Sequence, residues 1–192
     1  MISSGAGAPE GIDGAHWRFL VVVVVGLLSA SASAYTVRPG DLLIKGVAGA
    51  SVNVARLNVA TKATPPAGMV LGADFDWSFD GNWSLMTSLR PVLSPGFVDG
   101  NLALGARYRV LQLDAPLIPW ASAQLVTALG APLGYGDLHV NVGARLGGGI
   151  DYFVMRDLAV GVEVATEASA LLVPLLGAEA STEVLVGVTW RL

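Results

Sequence analysis

The residue types that carry most catalytic chemistry are scarce in this chain. Beyond residue 34 it has a single histidine, His139, and it has no cysteine anywhere. That excludes disulfides, thiol nucleophiles and a lipidated N-terminal cysteine. A histidine serves as general base for a nucleophile only within hydrogen-bond reach of a hydroxyl or thiol, and in His139-x-Asn141 the neighbouring position holds an amide. One histidine without cysteine leaves no zinc ligand set. Gly147-Gly148-Gly149 lies within a strand-like run, not ahead of a helix as a phosphate-binding loop requires, and reads as relief of crowding where a strand bends. No catalytic residue, metal or cofactor is expected.

The chemistry that remains is ion pairing. Lys45, Asp74, Asp76, Arg90, Arg107, Arg109, Arg145, Asp151, Glu163, Glu167, Glu183 and Arg191 all fall on one parity of their apolar-alternating segments, as does His139. From 138 to 152 the even positions are Leu138, Val140, Val142, Ala144, Leu146, Gly148, Ile150 and Tyr152, whereas the odd ones include His139, Asn141, Arg145 and Asp151. Val160, Val162 and Val164 likewise alternate with Glu163 and Glu167, and Val184, Val186, Val188 and Trp190 with Glu183 and Arg191. Side chains alternate between the two faces of a strand. An uncharged face on segment after segment is the pattern of a sheet that meets lipid on one side and a polar lumen on the other. An outward Arg or Lys near the bilayer midplane would cost about 2 to 4 kcal/mol.

The elements that must position these charges are strands. Charged residues make up 14% of the chain and hydrophobic ones 53%, an unfavourable balance for an ordinary soluble domain. After the N-terminus, no apolar run approaches the roughly 20 residues of a membrane helix. Strand candidates cover 42–54, 67–78, 83–92, 101–111, 117–127, 137–153, 158–168 and 182–192. An even count suits an up-and-down transmembrane barrel with both ends in the periplasm. Phe79-Asp80-Gly81, Asp114 to Leu117 and Met155-Arg156-Asp157 read as short periplasmic turns. The connections 55–66, 93–100, 128–136 and 169–181 read as longer extracellular loops. The competing architecture is a soluble β-sandwich or lipocalin-like barrel, whose alternation runs in the opposite sense and would place the charge column in water.

Residues 1–34 read as a signal peptide: Arg18 precedes the apolar run Phe19 to Leu28, and Ala32-Ser33-Ala34 supplies small residues before a start at Tyr35. The barrel domain is then 35–192. It carries ten basic and thirteen acidic side chains, and without a basic patch no nucleic-acid partner is expected.

Trp77, Trp83, Tyr108, Tyr152 and Trp190 fall near the periplasmic ends of their strands, half of an aromatic girdle. A three-residue loop Phe79-Asp80-Gly81, with Gly81 left-handed, would set Trp77 opposite Trp83. The segment 117–127 fits neither phase: Trp120 outward exposes Ser122 and Gln124, whereas Trp120 inward leaves Pro119, Ala121, Ala123 and Leu125 outside.

With Gly147-Gly148-Gly149-Ile150-Asp151-Tyr152, Arg156-Asp157-Leu158, the opening Leu43-Ile44-Lys45-Gly46 and the closing 184–192, the chain resembles the small OmpW/OmpA-like outer-membrane β-barrel family. The closing strand departs from the family's insertion signal by ending in Leu192 instead of phenylalanine. The resemblance implies location in a Gram-negative outer membrane among lipid and lipopolysaccharide. It also implies handling by periplasmic chaperones and the barrel-insertion machinery, and passage of small hydrophobic solutes. Some eight-stranded barrels deacylate lipid A through a lipid-side His-x-Ser pair, which His139-x-Asn141 lacks. An adhesin would need long loops, and 93–100 and 128–136 are short.

An eight-stranded barrel is just wide enough for side chains to fill, so six basic and six acidic inward residues should pair across the lumen. A 155–157 turn sets Arg145 opposite Glu167, with Glu163 on the same inward face. Two readings follow: a structural plug of ion pairs, or a polar conduit, either narrow or ligand-gated. The segment 169–181, with Leu171, Leu172, Val173, Pro174, Leu175 and Leu176, is either an apolar guide for hydrophobic molecules or an extension of the seventh strand into lipid.

Overall fold

Eight antiparallel strands, each bonded to its sequence neighbours, close into a barrel where β1 meets β8. They are β1 Leu42–Leu57, β2 Ala67–Ser78, β3 Trp83–Ser94, β4 Phe97–Arg109, β5 Leu117–Pro132, β6 His139–Met155, β7 Leu158–Val173 and β8 Gly177–Arg191. A computed structural model describes residues 37–57, 66–111, 116–134, 138–173 and 177–192. The expected signal peptide and its cleavage point lie outside the described residues. No helix among those described is long and apolar enough to cross a membrane.

The alternation runs in the sense expected for lipid. Leu125 is 74% exposed and Leu146 is 66% exposed, along with Leu104, Val162, Val164, Val184 and Val186, while Arg90 and Arg107 are fully buried inside. A soluble barrel inverts this arrangement. Closure leaves no open edge and satisfies the strand backbone internally, as hydrocarbon demands.

All eight strands occur where the alternation predicts them, but several run further. β3 and β4 are joined by only Pro95-Gly96, with Gly96 at φ +75°, suiting a type II turn with proline followed by glycine. The expected loop 93–100 is therefore mostly strand. β7 and β8 likewise consume most of 169–181, with Leu171 buried inward and Leu172 exposed outward; Pro174, Leu175 and Leu176 lie outside the described residues. The other end has a long connection over 110–116. Connection length thus does not separate the two ends. The first and last strands do, since the start of β1 and the end of β8 lie at one end, called here the terminal end; the other is the distal end.

The first turn also differs from expectation. Gly81 is left-handed, at φ +88°, but the turn covers 79–82, Trp77 faces Leu85, and Trp83 faces Tyr108. The Trp83 N–H donates to Asp80 Oδ1 at 2.5 Å and the Gly81 N–H to Ser78 Oγ at 3.1 Å, which stabilises the longer turn. Trp83 packs against Tyr108 with the rings tilted and their centroids 4.9 Å apart, and Trp77 meets Phe79 at 6.4 Å. Trp77, Trp83, Tyr108 and Trp190 are exposed on the outside, with Tyr152 half-buried there.

Candidate functional site: the lumen

Trp120 resolves the one ambiguous strand. It points inward with Ile118, Ser122, Gln124, Val126 and Ala128, leaving Pro119, Ala121, Ala123 and Leu125 toward lipid. Its ring lies close to two cations, 4.6 Å from Lys45 Nζ and 4.1 Å from the Arg107 guanidinium carbon, close enough for cation–π attraction. The space for it comes from Gly149, where a Cβ would stand 2.7 Å from Trp120 Cζ2. That packing, more than strand bending, explains a glycine there. Gly187 does the same for Lys45, whose Cε would be 2.7 Å from an added Cβ.

Around Trp120 the inward charges form one connected layer. Arg90 grips Asp74 with two bonds, Nε to Oδ1 at 3.0 Å and Nη2 to Oδ2 at 2.7 Å. Its Nη1 meets Glu163 at 2.7 Å and Glu183 at 3.3 Å. Arg107 bridges Asp74 and Asp76 at 3.1 and 2.5 Å, and Arg109 binds Asp76 and Ser84. Lys45 lies 3.2 Å from Asp151 and 3.6 Å from Glu163. Planar guanidinium forks suit such shared carboxylates better than point charges do. Gln124 completes the layer by donating to Ser88 at 2.7 Å.

Arg145 and Glu167 are direct cross-strand partners, as the turn position predicts, and their side chains meet at 2.8 Å. Arg145 also reaches Glu183 at 3.4 Å. Arg191 departs from expectation. Its parity is inward, but it sits at the terminal rim, where it pairs with exposed Asp157 at 2.7 Å and lies 3.9 Å from Asp41. The strand ends there, so the guanidinium reaches the turn instead of the lumen. His139 is buried, its ring edge-on to Phe97 at 5.6 Å between centroids. Its inward direction keeps it from the lipid face.

Toward the terminal end the lumen closes with apolar side chains, Ile118, Phe153 and Ala159 backed by Leu111. One wall above the ionic layer is also apolar, with Val47, Val70 and Leu185 packed against Val92. The distal mouth is polar, a cavity of about 40 Å³ lined by residues that include Asp99, Asn101, Glu167, Glu179 and Phe97. Asp99 and Glu179 were expected in loops. The longer β4 and β8 carry the inward parity through them, and Arg56 lies across from Glu179 in the β1–β8 register. The signal was legible in Phe97-x-Asp99-x-Asn101 and Glu179-x-Ser181-x-Glu183, which continue the alternation outward.

Together these features define the fold of an outer-membrane β-barrel: a closed eight-stranded cylinder with a lipid-compatible outside and a charged inside. No protein-family model matches the chain, and no curated protein sequence matches it. Among solved structures it is similar to Neisserial surface protein A (NspA), with 13% identity and a TM-score of 0.63, covering 80% of this chain and 97% of that one. The N-terminal β-barrel domain of Pseudomonas aeruginosa OprF matches with 12% identity and a TM-score of 0.58, covering 80% and 98%. The P. aeruginosa outer membrane protein OprG matches with 13% identity and a TM-score of 0.57, covering 83% and 99%. At these identities the likeness is one of fold, and at that level the resemblance to small OmpW/OmpA-like barrels holds.

Proposed function

We propose that this protein is an integral β-barrel of a Gram-negative outer membrane whose lumen is plugged by ion pairs, and that it acts as an envelope structural protein, not as an enzyme. Export by a signal peptide, delivery by periplasmic chaperones and the insertion machinery, and a setting of lipid and lipopolysaccharide belong to the same reading. The observation that carries it is the continuous buried layer from Lys45 through Asp151, Glu163, Arg90, Asp74 and Arg107 to Asp76, which fills the lumen beside Trp120. An eight-stranded barrel is about wide enough for side chains to fill, and this layer supplies them. Removing one member of a desolvated pair typically costs about 3 to 5 kcal/mol, so the layer does not open casually.

Planar-bilayer recording of the purified, refolded protein tests this. The expected result is no reproducible open level for the wild type, with conductance appearing once Trp120 and Arg90 are both replaced by alanine. A stable wild-type channel would instead establish the narrow pore for small solutes. Heat-dependent gel mobility, together with membrane fractionation, checks the barrel and its location. The deacylase and adhesin alternatives gain no support from the geometry: His139 faces the lumen, and the β3–β4 connection is two residues long.

A further inference from the structure

The outer wall of the barrel is not equally tall all round. Following the paired residues once around the sheet leads from Leu42 to Val52 on β1, a stagger of ten residues, which tilts eight strands by about 40°. At that tilt and a rise of about 3.3 Å per residue, the register brings Trp77, Trp83, Tyr108, Tyr152 and Trp190 to within about 4 Å of one level. The five residues therefore form a single belt at the terminal end, as an interfacial girdle requires. Above the belt, the apolar exterior of β2, β3 and β4 ends at Ala67, Leu93 and Val98. It rises about 25 Å, the ordinary height of a barrel's apolar band. On β5, β6 and β7 the same geometry carries it up about 30 to 35 Å, through Leu129, Leu133, Leu138, Val140, Ala170 and Leu172.

Leu133 is 68% exposed and Leu138 53% exposed in this taller part. Among the described residues no charged side chain faces outward there, and no outward Trp, Tyr or Phe marks a second belt at the distal end. Apolar surface of this kind calls for a cover. Acyl chains suit it better than protein does. The patch runs without a polar border into the lipid-facing surface below it, which includes Leu125, Leu146 and Val164, whereas protein interfaces are rimmed by polar residues. Lowering the barrel along its axis is no remedy, because the belt would leave the interface for water and the Pro95-Gly96 turn would enter hydrocarbon. A wall longer than the hydrocarbon is met by tilting or by local thickening of the bilayer. The level belt at the terminal end favours thickening, on the tall side alone.

We propose that the distal part of β5, β6 and β7 is a seat for the acyl chains of the distal leaflet, which stand about 5 to 10 Å higher there than along β2, β3 and β4. The inference rests on the reading of the exterior as a lipid surface and is independent of whether the lumen conducts.

The chain has no cysteine, so single-cysteine variants of the refolded barrel can each carry one environment-sensitive fluorophore. Labels on Leu138→Cys and Leu172→Cys are compared in dioleoylphosphatidylcholine vesicles, with iodide as quencher on both sides of the membrane. Leu125→Cys marks the apolar band, Arg156→Cys a terminal turn, and Pro95→Cys the distal turn of the opposite wall. The labels at Leu138→Cys and Leu172→Cys should be shielded as at Leu125→Cys, with quenching about fivefold weaker than at Arg156→Cys and Pro95→Cys. For the unlabelled wild type, the urea midpoint should be higher in dioleoylphosphatidylcholine than in dimyristoleoylphosphatidylcholine, whose shorter chains leave the patch uncovered. Gel mobility with and without boiling verifies that each variant is folded, and the wild-type midpoints stand without any variant. Quenching at Leu138→Cys and Leu172→Cys as strong as at Arg156→Cys, equal shielding at Pro95→Cys, or a midpoint no higher in the longer-chain lipid would each overturn the proposal and leave the barrel in its membrane. Shielding lost on tenfold dilution of the protein in lipid would assign the patch to a second copy and overturn it too. Failure of the wild type to enter either vesicle would overturn the lipid reading of the whole exterior, and the proposal with it.

Discussion

The middle of the lumen and its distal mouth are built from the same residue types but balance them differently. In the middle, every carboxylate meets at least one cation: Asp74 is shared by Arg90 and Arg107, Asp76 by Arg107 and Arg109, and Glu163 by Arg90 and Lys45. At the mouth, Asp99 has no cation within ion-pair distance among the described residues, and its Oδ1 accepts no hydrogen bond. A cation for every carboxylate makes a plug; the mouth holds a carboxylate without one. Low dielectric makes the difference matter, because an unpaired buried charge is far more costly than a paired one.

The largest effect should come from breaking the balance in the middle. Arg90→Ala leaves Asp74, Glu163 and Glu183 short of their shared cation, and unfolding in urea from detergent micelles should show a loss of about 3 to 5 kcal/mol. If the variant were as stable as the wild type, the layer would be ornament and not plug. Next in size, Leu125→Arg places on the outer face the group that the inner face accommodates. A loss of about 2 to 4 kcal/mol in lipid vesicles is expected for a site near the bilayer midplane. A negligible loss would argue that water, not hydrocarbon, bathes that face.

A smaller effect tests the packing that seats Trp120. Gly149→Ala would bring a Cβ to 2.7 Å from its ring and 2.3 Å from the Val162 carbonyl oxygen, and such overpacking costs about 1 to 3 kcal/mol, readable as a lower urea midpoint. Last, Asp99→Asn should not destabilise the barrel and should leave its urea midpoint equal to or above the wild type's, because it removes a carboxylate that has no cation within ion-pair distance among the described residues. A large destabilisation there would mean that the mouth is as tightly balanced as the middle, and the contrast between the two regions would fail.

Much of this architecture was legible along the chain. The strand positions, the inward parity of Lys45, Asp74, Arg107 and Glu163, and the facing of Arg145 and Glu167 all follow from local alternation and one turn. The segments that misled were those where turn chemistry outweighed a loop-like composition. Pro95-Gly96 reverses the chain in two residues, which draws Asp99 into β4 and fixes the register that sets Trp83 against Tyr108, and the 79–82 turn sets Trp77 against Leu85 instead of Trp83.

What the amino-acid order determined by itself is which face each side chain takes, because period two is a property of the extended backbone within a single strand. Which cation meets which carboxylate across the lumen is decided only by closure. The stagger between distant strands accumulates through every intervening register, and no local pattern contains that total. Trp120 belongs to the second kind. Its own strand permits either face, and it turns inward in a lumen where Gly149 leaves room and Lys45 and Arg107 offer charge.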